Sequence, residues 1–157
     1  MLTIDSLKEN SVPIAEYIDK LVAKSQMAKE QLLNYKLNQE ITDKIKNYRE
    51  KYFVFVFSAE WCPDCFRNIP ILALLNRVTD LEVRIFGGLI KSDDRRSWKI
   101  PPSPKEVLDF DVKKIPLISI LDNAGNIIGN IIENPPKGLT LEEAILRILE
   151  ETKTSSI

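Results

Sequence analysis

The sequence predicts an α/β fold: a mixed central sheet flanked by helices, preceded by an N-terminal all-helical arm. Three observations carry this reading. Residues 14–50 space their apolar side chains at helical intervals. Tyr52 to Phe57 reads YFVFVF, the unbroken aromatic and β-branched run of a strand buried on both faces, and a loop and a helical pattern follow it at once. Two apolar runs, 117–121 and 126–132, flank Asp122-Asn123-Ala124-Gly125, the turn of an antiparallel hairpin. A chain of 157 residues, 44% hydrophobic and 29% charged, has the size and balance of one globular core.

Taken in order, Ile14, Tyr17, Ile18, Leu21 and Val22 form the stripe of an amphipathic helix with Pro13 in its first turn. Helical spacing resumes from about residue 25 to 50 through Leu33, Leu37, Ile41, Ile45 and Tyr48, with a break expected near Asn34 or Asn38. These residues, 1–50, are expected to form an arm of two or three helices. The run at Tyr52 begins a second unit, 51–151, as strand, loop and a helix over 66–78, and a second strand over 81–86 completes a βαβ unit. Residues 87–104, with Gly87-Gly88, a charge cluster and three prolines, read as a long loop. Ser103-Pro104 opens a short helix to about Phe110. After the hairpin, Thr140 and Glu143 have the spacing of a capping box, and Leu141, Ala144, Ile145, Ile148 and Leu149 make the buried stripe of a closing helix. Residues 152–157 are expected to be a flexible tail.

Composition removes whole classes of chemistry. With 22 Lys and Arg against 23 Asp and Glu, the net charge of −1 offers no field for a phosphate backbone, so no nucleic-acid partner is expected. The chain contains no histidine, which excludes Ser-His-Asp and Cys-His nucleophiles and imidazole metal ligands within it. Cys62 and Cys65 are the only thiols, half the sulfur set of a zinc or iron–sulfur centre, so neither a metal nor another cofactor is expected. No basic-then-apolar leader opens the sequence and no apolar run spans a bilayer, so it reads as cytoplasmic without a membrane partner.

The remaining chemistry lies in Cys62-x-x-Cys65, set between a buried strand and a helix. A helix start offers free N–H groups and a positive dipole end, which favour a thiolate on Cys62. Cys65, one turn deeper, is placed to attack a mixed disulfide formed at Cys62 and close a 62–65 disulfide. A bare motif of this kind also fits two thiols that merely pack, or a metal site shared between chains.

The surrounding residues resemble the thioredoxin family over roughly residues 52–150. Trp61-Cys62-Pro63-Asp64-Cys65 is similar to that family's active-site segment, Pro70 stands where its active-site helix carries a proline, and Ile115-Pro116 stands where it has a cis-proline loop. The resemblance implies a thioredoxin-like fold, a thiol–disulfide oxidoreductase with Cys62 as nucleophile and Cys65 as resolver, and a cis peptide at Ile115-Pro116 whose backbone pairs with an extended substrate. Pro116 also fits a strand-start proline, and Trp61 also fits core filler; in context Trp61 reads as a flat docking surface beside the dithiol.

Two departures bear on mechanism. Val56, six residues before Cys62, stands where the family buries an aspartate that assists proton transfer to the resolving cysteine. Asp64, between the cysteines, is expected to raise the Cys62 pKa and make the couple more reducing, which favours a reductase; as an alternative it only solvates the helix start. The loop Lys91 to Trp98 is either a solvated charge run or a specificity loop presenting Arg95, Arg96 and Trp98. The expected partners are a disulfide-containing protein or small molecule and an electron-donating reductase or low-molecular-weight thiol. The alternative is an interaction module whose arm binds a partner while the dithiol senses redox state.

Overall fold

In a computed structural model of the chain, residues 2–155 are described, with side chains over 2–151. The YFVFVF run is β2 (Tyr52–Phe57), with Val54 to Phe57 fully buried. It lies at the centre of a five-stranded mixed sheet of order β1-β3-β2-β4-β5, formed with β1 (Val12–Pro13), β3 (Glu82–Phe86), β4 (Leu117–Asp122) and β5 (Ile127–Ile132). β2 and β3 run parallel and every other pair is antiparallel. Phe57 pairs with Phe86 on one side and Leu117 on the other, and its ring stacks on Phe86 with centroids 4.9 Å apart. The hairpin turn is clamped by Asp122, whose carboxylate accepts from the Ala124 and Asn126 N–H groups at 3.0 and 2.9 Å.

The N-terminal region comprises α1 (Ile4–Glu9), α2 (Ile14–Lys24), α3 (Gln26–Asn34), α4 (Gln39–Ile45) and a 3-10 turn at Lys46–Tyr48. Its helix starts follow side-chain capping: Thr3, Ser25 and Asn38 each accept from an N–H three residues on. The break expected near Asn34 or Asn38 spans both, since α3 ends at the first and the second caps α4. Four helices form where two or three were expected, and the arm contains one strand, at Val12–Pro13. There it adds the edge strand β1 to the sheet, which places Pro13 before α2 instead of in its first turn. Ile14, Tyr17, Ile18 and Leu21 are buried, with α2 and α3 packed on α5 (Pro63–Thr79) and α2 also on β3. Residues 2–50 and 51–151 thus share one sheet and one core. Leu33 is exposed and departs from the expected stripe.

The short helix α6 (Glu106–Asp109) starts later than Ser103-Pro104 predicts. The Ser103 hydroxyl is engaged elsewhere: it accepts from Ile90 N–H at 2.9 Å and donates to Ile90 C=O at 3.1 Å, pinning the long loop instead of opening a helix. The closing helix α7 (Leu141–Ser155) starts with the expected reciprocal bonds between Thr140 and Glu143, both 3.2 Å. Its backbone runs four residues into the segment expected to be a tail, and residues 156–157 lie outside the described residues. Among the described residues no helix is long and apolar enough to cross a membrane.

Candidate functional site

The dithiol is positioned by local backbone chemistry. Cys62 is the N-cap of α5, with extended φ and ψ of −95° and 117°, and its sulfur accepts the Cys65 N–H at 3.4 Å. Pro63 follows at the first helical position, where its missing N–H costs nothing, and is exposed. Cys65, a turn deeper, is fully buried, and both thiols are free. Cys62 is itself only 5% exposed, more enclosed than a helix-start position predicts. The enclosure comes from across the sheet: the Ile115–Pro116 peptide is cis, and the Cys62 thiol donates to the Ile115 carbonyl at 3.7 Å. Pro70 lies buried inside α5. Trp61 is 52% exposed, its indole N–H donating to the Leu89 carbonyl at 2.9 Å, so the ring lies as a held flat face beside the dithiol.

The two thiols are driven apart electrostatically. Cys62 is lowered from its ordinary 9.0 to about 7, first by the hydrogen bond its sulfur receives from the Cys65 thiol. Burial opposes this, while the N–H groups of Cys65 and Asp64 add to it. Burial pushes the Cys65 thiol far up and the bond to Cys62 adds to that, so the proton of the pair resides on Cys65.

Asp64 acts in the expected direction: its charge pushes the Cys62 pKa up, and the hydrogen bonds from the Cys65 thiol and the helix-start N–H groups outweigh it. Its carboxylate is also compensated: it is paired with Arg67 and accepts from Asn134 Nδ2 at 3.2 Å. Asn68 locks this corner by donating to the Asn134 side-chain oxygen and the Glu133 carbonyl, both at 2.9 Å. Arg67, Asn68 and Asn134 were not singled out from the sequence. An arginine three residues after Asp64 is the one local signal among them.

The loop over 91–98 is ordered by its own bonds. Lys91 and Trp98 pair across it with the ammonium 4.0 Å from the indole, and Trp98 Nε1 donates to Val112 C=O at 2.7 Å. Arg95 borders the groove beside Trp61 together with Ile90, Lys91, Ser92 and Asp93. Arg96 and Trp98 face a different hollow, against residues 107–113, so the three residues expected to act together are divided.

Val56 is fully buried in β2 and brings no carboxylate to Cys65. Three residues missed from the sequence form a hydrogen-bonded line beside it. The Ser58 hydroxyl lies within hydrogen-bonding reach of the Cys65 sulfur. Tyr17 Oη is 2.9 Å from Ser58 Oγ and donates to Glu60 Oε2, also at 2.9 Å. Glu60 Oε2 additionally accepts the Gly88 N–H at 3.1 Å. Gly87 makes room for the ring, since a Cβ there would lie 2.6 Å from Tyr17 Cε1. In the sequence Tyr17 registers only as one apolar position on a helix.

No curated protein matches the chain at a significant level. Among solved structures it is similar to a protein of unknown function from Pseudomonas aeruginosa, at 22% identity and a TM-score of 0.66, over 97% of this chain and 99% of that one. It is also similar to an HIV epitope scaffold at 20% identity and a TM-score of 0.68, over 96% of this chain and 99% of the other. At such identities the likeness shows the fold alone. A thioredoxin family profile, however, matches residues 12–146, running from the edge strand β1 through the dithiol and the cis-proline loop into α7. The chain belongs to the thioredoxin family.

Proposed function

We propose that the protein is a thiol–disulfide oxidoreductase, acting as a cytoplasmic reductase of protein or small-molecule disulfides. The observation that carries this is the split of the two thiols: Cys62 caps α5 with its pKa lowered to about 7, and Cys65 beneath it retains its proton. At neutral pH a substantial share of Cys62 is thiolate, the form that attacks a disulfide. The Cys62 thiolate bonds to one sulfur of the substrate, and the other sulfur leaves with the bond's electron pair and takes a proton from solvent. Cys65 then displaces the remaining substrate sulfur from Cys62, so the dithiol is oxidised to a 62–65 disulfide and the substrate is reduced by two electrons. A donor reductase or small thiol restores the dithiol. Trp61 and the Ile115–Pro116 backbone supply the docking surfaces, and a reducing compartment keeps the resting pair as thiols.

The interaction-module reading is less supported, because most of the arm's apolar side chains, with Leu33 and Met27 among the exceptions, pack into the chain's own core. Reduction of insulin with dithiothreitol as donor separates the two readings. Turnover well above the dithiothreitol background, abolished by Cys62→Ser, is expected of the reductase. Turnover at background level rejects it.

A further inference from the structure

The ring-closing step needs a base that the dithiol itself does not contain. Cys65 attacks only as a thiolate, yet it is fully buried and holds its proton tightly. Once Cys62 is tied up in a mixed disulfide it no longer offers an anionic sulfur to accept that proton. Water does not reach a fully buried sulfur directly, so the proton needs a path.

One continuous path leads out. Ser58, fully buried directly after β2, is held there by its N–H to the Phe86 carbonyl at 2.9 Å, and a hydrogen bond from its hydroxyl favours the thiolate of Cys65. The next oxygen is Tyr17 Oη at 2.9 Å, on a residue only 4% exposed. Beyond it, at 2.9 Å, is the carboxylate of Glu60, which lies half-buried at the edge of the site. The directions agree along the line. Because Tyr17 O–H donates to Glu60, its lone pair is left for the Ser58 O–H. The Ser58 lone pair is then left for the Cys65 S–H, which points to the Cys62 sulfur in the dithiol and is released from it once Cys62 is tied up in the mixed disulfide. We propose that Ser58, Tyr17 and Glu60 form a proton relay that deprotonates Cys65 for ring closure, with the N-terminal arm supplying its central residue.

This inference rests on the oxidoreductase reading above. In the step, the Cys65 proton passes to Ser58 Oγ, the Ser58 proton to Tyr17 Oη, and the Tyr17 proton to Glu60 Oε2, which later releases one proton to solvent. The electron pair left on the Cys65 sulfur forms the bond to Cys62, and the Cys62–substrate bond breaks toward the substrate sulfur. Neither hydroxyl changes its net protonation, so Tyr17 need not ionise, which its burial opposes strongly. Glu60 is the terminal acceptor, while Ser58 and Tyr17 transmit the proton. The titratable groups gathered around Cys65 are Cys62 and Asp64 on its own helix, Tyr17 on α2 and Glu60 on the loop between β2 and α5. Asp64 is already engaged by Arg67 and Asn134.

The test is single-turnover reaction of the full-length reduced protein with the chromogenic disulfide dithiobis(nitrobenzoate). The first nitrothiobenzoate released reports attack by Cys62, and the second reports closure by Cys65. Tyr17→Phe keeps the ring, and Glu60→Gln keeps an acceptor for Tyr17 and Gly88 near the surface. Each is expected to leave the first release within about twofold and to slow the second at least about tenfold, the low side of what positioned proton transfer contributes. In both variants the second rate should become first order in hydroxide, whereas the wild-type profile is flatter. A second release unaffected in both variants, or both releases slowed alike, overturns the relay and leaves the reductase reading intact. Failure of the wild-type protein to release a second equivalent overturns the reductase reading itself, and the relay with it.

Discussion

The Cys62 sulfur lies 3.7 Å from the main-chain oxygen of Ile115, a residue 53 positions later in the chain. This contact encloses the sulfur under the cis-proline loop while the start of α5 polarises it from the other side. The outcome of these opposing influences is directly measurable. Alkylation of the reduced protein should modify Cys62 before Cys65, with a rate that rises through a midpoint near pH 7. A midpoint close to the ordinary 9.0 would show that enclosure wins over the helix start.

The same shift predicts how stability varies with pH. Because the folded-state pKa of Cys62 is depressed, its contribution is fully present above the unfolded value of 9.0 and is lost as pH falls through about 7. The urea midpoint of the reduced protein should therefore rise between those two values relative to Cys62→Ser. Cys65, shifted the other way, works against stability only where the unfolded thiol ionises, at and above the upper end of this window. Parallel profiles for the two proteins would contradict the assignment.

Asp64 and Arg67 should move the redox potential in opposite directions. Asp64→Asn removes a charge that disfavours the thiolate, so it lowers the Cys62 pKa, stabilises the dithiol form and makes the couple less reducing. Arg67→Ala leaves the Asp64 carboxylate less compensated, which raises that pKa and makes the couple more reducing. Each shift is expected to stay within about one pKa unit, since both groups are partly solvated. Equilibration with glutathione measures both, and displacement in the same direction would exclude the charge explanation.

The N-terminal region should unfold together with the sheet. Leu21 on α2 is fully buried in the common core, so Leu21→Ala is expected to cost about 2–5 kcal/mol. Unfolding followed by tryptophan fluorescence, which reports the dithiol region, and by circular dichroism should give coincident transitions shifted together. An arm folding separately would shift only the second signal.

Gly87→Ala tests the space around Tyr17. The added Cβ would lie 2.6 Å from the ring carbon Cε1, so the buried ring or the β3 end must move, at a cost of about 1–3 kcal/mol. Stability within error of wild type, measured by urea denaturation, would mean that the ring gives way freely.

What the sequence alone determined is the part of the protein governed by near neighbours. An unbroken apolar run, helical spacing and a turn sequence located β2, α5, the hairpin and α7, and the junction of strand and helical pattern put Cys62 at a helix start. These features depend on interactions a few residues long, which a linear pattern records. The remaining features depend on partners distant in the chain. Val12–Pro13 became a strand because β3 offered an unpaired edge, and two residues are too few to show any period. Tyr17 meets Ser58 across 41 residues and Arg67 meets Asn134 across 67, so no spacing rule connects them. The sequence showed Val56 in place of a buried carboxylate. It did not show that a serine, a tyrosine and a glutamate line up by hydrogen bonds near Cys65, because side-chain hydrogen bonds are short and directional and exist only once packing has brought their atoms within about 3 Å.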